Sequence, residues 1–176
     1  YFILSLNIAT TAIAKVPVIG SIGLAIGQIT NQKNEVLKAG DNVYFGDIIK
    51  ADSKSKSQVL LLDETVITLG EQTSITMDEF VYDPYNQSGK IVSTVLKGSV
   101  KVLSGKISIG NPEDLVIKTP AGSIGTRGTE FQTIVDEDGG TSQVLLIGPG
   151  ENNSLGLRPG AVEVSKASSK FSLVLF

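Results

Sequence analysis

From Val18 onward the chain alternates short apolar runs with breaks rich in glycine and aspartate. No stretch of a dozen residues sustains the three-to-four period of an amphipathic helix. The segment "VIGSIGLAIGQIT" (18–30) alternates small and apolar residues and leads into a first strand. Residues 31–62 read as short strands separated by Gly40-Asp41 and Gly46-Asp47, pairs that turn the chain because glycine tolerates positive φ and aspartate bonds nearby backbone. "SQVLLLDETVITL" (57–69) reads as a hairpin around Asp63-Glu64. A two-residue type I′ turn wants glycine where Glu64 stands, so a longer loop is expected. "SITMDEFVYD" (74–83) places Ile75, Met77 and Phe80 inward and Thr76 and Asp78 outward. "KIVSTVLKGSVKVLSGKISIG" (90–110) divides into three short strands at Gly98 and Gly105, and residues 114–120, 130–147 and 160–165 continue the pattern.

Turn signals at this spacing predict one all-β domain of many short strands joined by Gly/Asp turns. Three stretches, 36–43, 95–102 and 157–164, share a basic residue, a glycine and a following strand. They leave a β-solenoid-like roll and a sandwich both open.

Composition narrows the functions. The 176 residues include no His and no Cys, which removes Ser–His–Asp and Cys–His nucleophiles and the usual zinc, copper, iron–sulfur and haem ligands. A net charge of −3 gives no basic surface for nucleic acid. Aromatics at 6% leave a core of Val, Ile and Leu, a palette that favours sheets. No cofactor is expected.

Residues 1–14, "YFILSLNIATTAIA", are uncharged and apolar and end in Ala12-Ile13-Ala14, the pattern of a secretory leader and its cleavage site. A buried strand or helix is the rival reading. A membrane span is the other, but Lys15 and Pro17 cut the run short of the roughly 20 residues required. The expected division is therefore a partial signal peptide at 1–14, a β domain at 15–165, and a terminal strand or cut continuation at 166–176.

Three stretches, "GDII" (46–49), "LKGSVKVLSGK" (96–106) and "TPAGSIGTRGTEF" (119–131), taken in order, resemble the periplasmic FecR domain of ferric-citrate-type regulators. The resemblance spans residues 28–165 and is nearest to stand-alone exported FecR-domain proteins of Gram-negative bacteria. It implies a periplasmic β module whose business is contact with a partner. Full-length FecR-type regulators add a sigma-factor arm and a membrane span; the resemblance implies that a chain without that arm does not regulate transcription directly. Glu64 departs from the glycine usual in the family after the turn aspartate.

Within "TPAGSIGTRGTEF", Gly125, Thr126, Arg127 and Gly128 form the candidate recognition turn. One reading has its amides and guanidinium bind an anion or a partner's carboxylate. The other, which we favour, keeps Arg127 inside, bracing neighbouring turns through its fork of donors. A P-loop is excluded, because no Gly-Lys-Ser/Thr follows. Tyr82, Pro84 and Tyr85 form a candidate contact loop. The acidic groups "DEDGG" (136–140) and Asp78-Glu79-Asp83 raise calcium as an alternative, though a solvated hairpin tip explains the first more simply. "DSKSKSQ" (52–58) reads as a solvated approach to a strand.

The expectation is a non-catalytic periplasmic or secreted module in protein–protein recognition or signal sensing, with an envelope protein as partner and no membrane span in the mature chain. A surface module binding carbohydrate or calcium is the alternative, and a carboxylate-only hydrolase is a lesser one.

Overall fold

The computed structural model describes residues 15–109, 111–136, 142–149, 154, 159–166 and 169–174. Among these there are fourteen strands and no α-helix. The strands are β1 (Val18–Ile26), β2 (Ile29–Thr30), β3 (Asn42–Tyr44), β4 (Ile48–Ala51), β5 (Lys56–Leu61), β6 (Val66–Leu69) and β7 (Thr73–Asp83). They continue with β8 (Ser88–Leu103), β9 (Leu115–Thr119), β10 (Gly122–Arg127), β11 (Glu130–Val135), β12 (Ser142–Gly148), β13 (Ala161–Lys166) and β14 (Ser169–Val174). Residues 1–14 and most of the acidic tip, 137–140, lie outside the described residues.

All fourteen strands belong to one open, curled sheet. Its centre is β8, 16 residues long. The first part of β8 pairs with β7 and, in parallel, with β9; its last part pairs with β6 and β11. The strand changes partners at Gly98, where φ is +91°. A Cβ there would fall 2.6 Å from Thr73 Cα and 2.9 Å from Gln72 O. Glycine is therefore required twice over, for the backbone conformation and for the close approach of β7. Thr73 Oγ1 locks the corner by accepting from Ser99 N at 3.0 Å.

This bend corrects the expected division of 90–110 into three strands. Gly98 is a corner within a single strand, and the segment after Gly105 makes a 3-10 turn, Ile107–Ile109. The turn is imposed from outside by the β5–β6 loop. Asp63 O accepts from Lys106 N at 2.8 Å, and the buried Asp63 carboxylate accepts from Thr65 N, Thr65 Oγ1 and Ile107 N. Thr65 Oγ1 in turn accepts from Gly105 N at 3.0 Å. The β5–β6 loop is longer than two residues, as expected, and Glu64 adopts φ +73° within it. Lys106 donates to Glu64 Oε1, which holds the Lys106 ammonium above its usual value of 10.5.

The core is aliphatic. Ile22, Val59, Ile67, Leu69, Ile75, Val100, Val102 and Ile117 are among its buried members, with Phe131 the largest. Alternation sets the inward faces: Ser57, Val59 and Leu61 on β5; Phe131, Thr133 and Val135 on β11. Ile75, Met77 and Phe80 all face the core although Phe80 has the opposite parity, because the pairing of β7 slips between Met77 and Glu79. Ser55, in the basic stretch before β5, is buried and accepts from Gln28 N at 2.9 Å. The three similar stretches do not stack as coils: 95–102 lies within β8, and none of the three pairs with another. The fold is a roll whose neighbouring strands run antiparallel, except that β8 and β9 run parallel.

Two substitutions test this account. Gly98→Ala is expected to lower the unfolding free energy by about 2–5 kcal/mol, summing left-handed strain and backbone overlap; urea titration measures it, and a loss below 1 kcal/mol would refute the corner. Thr133 Oγ1 is buried with no hydrogen-bond partner among the described residues. Thr133→Val should therefore raise stability by about 1 kcal/mol, since an unsatisfied hydroxyl is removed at nearly constant shape. A lower melting temperature for that variant would refute the assignment.

Candidate functional site

The link from β10 to β11 is short and tightly held. Gly128 supplies a left-handed turn at φ +55°. Thr129 then ties three segments together. Its amide donates to Ser104 Oγ at 2.8 Å, its carbonyl accepts from Ser104 N at 3.1 Å and from the Ser104 hydroxyl, and its own hydroxyl donates to Gly148 O. Gly160 closes over this knot: a Cβ there would meet Thr129 Cβ at 2.6 Å, and its amide donates to Pro149 O at 2.8 Å.

A cleft of about 540 Å³ opens beside the knot, lined mainly by Leu103, Ile109, Arg127, Gly128, Pro149 and Pro159. Leu103 and Ile109 are 49% and 57% exposed, although both are large and apolar. The cleft's one carboxylate, Glu130, is already paired with Lys101. The other ion pairs among the described residues are Lys90–Glu79 and Lys106–Glu64. Arg127 belongs to none of the three, and its partly buried guanidinium makes no hydrogen bond among the described residues.

This differs from the bracing role favoured for Arg127 from sequence. Strand alternation sends Thr126 into the core and Arg127 to the opposite side, while Thr129 does the joining. The turn itself is also displaced. Gly125, Thr126 and Arg127 are strand residues of β10, with Gly125 opposite Val116 and Glu163 and Arg127 opposite Ala161; only Gly128 is in the turn. Thr126 Oγ1 is buried without a hydrogen-bond partner among the described residues.

The aromatic loop is elsewhere. Tyr82 packs against the core near the end of β7, whereas Pro84 and Tyr85 sit at the tip of the β7–β8 hairpin with Tyr85 99% exposed. None of the three lines the Arg127 cleft. The acidic residues of β7 are each engaged locally: Asp78 accepts from Thr94 Oγ1 at 2.5 Å, Glu79 pairs with Lys90 at 3.4 Å, and Asp83 accepts from Tyr85 N at 2.9 Å. No group of three or more metal-ligating side chains gathers among the described residues.

A second cleft, about 700 Å³, is polar and is lined by Gln28, Asn34, Lys50, Gln72, Ser74 and Lys97 among others. Its one carboxylate is Asp52. Sequence reading singled out neither this cleft nor the hydroxyl of Thr129. The only signal for Thr129 is its position directly after the turn glycine.

The family model described as FecR protein matches residues 47–148. The chain belongs to the FecR protein family. No curated protein matches it, and neither does any solved structure. The FecR match runs from the start of β4 to the end of β12, so it contains the Gly98 corner, the Asp63 clamp and the Arg127–Thr129 turn. Pro149 and Pro159, on the far wall of the cleft, lie beyond it. FecR domains are associated with signal transduction in envelope regulators and are typically periplasmic. No helix among the described residues is long and apolar enough to cross a membrane.

Thr129→Val keeps the shape and removes the hydroxyl that reaches Gly148. A loss of about 1–3 kcal/mol is expected in urea unfolding, because a part-buried carbonyl loses its donor. A change under 0.5 kcal/mol would show that the knot does not hold the cleft wall.

Proposed function

We propose that this FecR-family chain is a non-catalytic module of the cell envelope, periplasmic or secreted, that senses a signal by recognising a protein partner. The observation that carries this reading is the outer face of the sheet around β12. Leu145 and Ile147 on that strand are 60% and 43% exposed, and the same outer face carries Ile134 on β11 and Leu103 on β8, interspersed with Gln132, Gln143 and the Lys101–Glu130 pair. Among the described residues β12 pairs only with β11, which leaves its other edge open to an added strand. Exposed aliphatic side chains set among polar ones beside a strand edge suit strand addition, with main-chain bonds for affinity and alternate side chains for selectivity. The absence of histidine and cysteine from the sequence, and the single carboxylate among the described lining residues of each of these two clefts, support a role without catalysis.

The polar cleft favours a second reading, a surface module binding carbohydrate. Carboxamides, hydroxyls and the two ammonium groups of Lys50 and Lys97 suit an acidic glycan, although no aromatic side chain lines the cleft. The calcium form of this reading rests on the sequence of the 136–140 tip. Calorimetry with cell-wall glycans and Ca²⁺ separates these readings from protein recognition.

Photocrosslinking tests the first reading. A photoreactive residue at Leu145, in cells of the native type and at near-native expression, should give a discrete protein adduct. The same residue at Gln32 should not. Leu145→Glu combined with Ile147→Lys should abolish the adduct formed from a third photoreactive site at Ile134, with the melting temperature unchanged. The absence of any adduct from Leu145, or the same pattern from Gln32, would overturn the reading.

A further inference from the structure

We propose that the Arg127 cleft is a capture site for the free C-terminus of a polypeptide whose last residue is apolar. The inference rests on the recognition reading above and names the chemistry that one site would select. Three features of the cleft carry it.

The first is charge. Arg127 is partly buried at the wall of a mainly apolar cleft and has no carboxylate or carbonyl partner among the described residues. The neighbouring carboxylate, Glu130, is taken by Lys101. A guanidinium placed in this way is complementary to a planar anion that it can grip with two parallel bonds.

The second is the apolar lining. Leu103, Ile109, Pro149 and Pro159 leave a space within the size range of ligand pockets, so the carboxylate must come attached to an apolar group.

The third separates a peptide from a simple fatty acid. Gly128 and Gly148 both line the cleft, and a Cβ at either would meet nothing within 4 Å. Bare glycines with open space beside them leave room for another main chain to come close to the wall, which a slim alkyl chain does not fill. A peptide terminus supplies all three complements at once: the carboxylate for Arg127, a side chain for the Leu103–Ile109 wall, and a main chain for the open space beside the glycines.

The test is fluorescence anisotropy with the full chain and a panel of labelled hexapeptides differing in their last residue, each as free acid and as C-terminal amide. Decanoate serves as competitor. Free acids ending in Leu, Ile, Val or Phe should bind saturably, and their amides at least about tenfold more weakly. Arg127→Gln should erase the acid–amide difference without lowering the melting temperature, since the Arg127 guanidinium bonds no other group among the described residues. Leu103→Glu should remove binding altogether. Failure of every peptide to bind, equal binding of acid and amide, no effect of Arg127→Gln, or displacement by decanoate at the same concentration as by peptide would each overturn the proposal. The photocrosslink from Leu145 is an independent measurement. If it persists while the peptides fail, only the cleft assignment is lost.

Discussion

The constraint on which the rest of the structure depends is the bend in β8 at Gly98. A strand of 16 residues is too long to remain in one flat layer and still bury side chains from both of its halves against one core. By turning at a left-handed glycine it gives its first half to β7 and β9 and its second half to β6 and β11. The two halves then face each other across a shared core, so Val95 before the bend and Val100 after it are both fully buried. One backbone position thus converts a long hairpin into a curled sheet with an inside. Thr73, packed against Gly98 and bonded to the amide of Ser99, keeps the angle fixed.

A curled sheet leaves its loops to be anchored, and two polar knots do this. Asp63 and Thr65 hold the segment after β8, while Thr129 and Ser104 hold the link between β10 and β11. Both knots use side-chain oxygens, buried in Asp63 and Thr65 and part-buried in Ser104, to satisfy backbone amides, and such bonds cost most when one partner is removed. Their positions set the shape of the cleft. Residues Leu103 and Ser104 are fixed at one side by Thr129, Gly148 at the other, and Ile109 follows from the 3-10 turn that Asp63 induces. Arg127 enters this space because its strand neighbour Thr126 faces the core. The charged group is therefore delivered by alternation and, among the described residues, left without an ion-pair partner.

The all-β class and its aliphatic core were legible because period-two alternation and the absence of helical period survive in any local window. The turns at Gly40 and Gly46 were equally legible, and both have positive φ. Phe80 was placed inward although simple alternation opposes it, and only the slipped pairing between Met77 and Glu79 explains why. The segment after Gly105 misled for a different reason. "KISIG" alternates like a strand, but Asp63, more than forty residues earlier, captures its amides and coils it. Arg127 was singled out for its glycine-flanked setting, and the bracing bonds expected of it are instead made by Thr129, whose partners come from β8 and β12.

What the sequence determined by itself was the material: strands of Val, Ile and Leu, glycine where the chain must reverse, and a residue set without histidine or cysteine. These follow from side-chain volume, backbone freedom and chemical type, which are properties of single residues and near neighbours. Only the tertiary structure decided that Gly98 is a corner and not a turn, that the carboxylate of Asp63 is buried, and that Arg127 stands beside Leu103 and Ile109 without a counter-ion among the described residues. Each of these depends on which distant strands meet. That is settled by how a twisted sheet closes over its core, a long-range property that no short window of the chain contains.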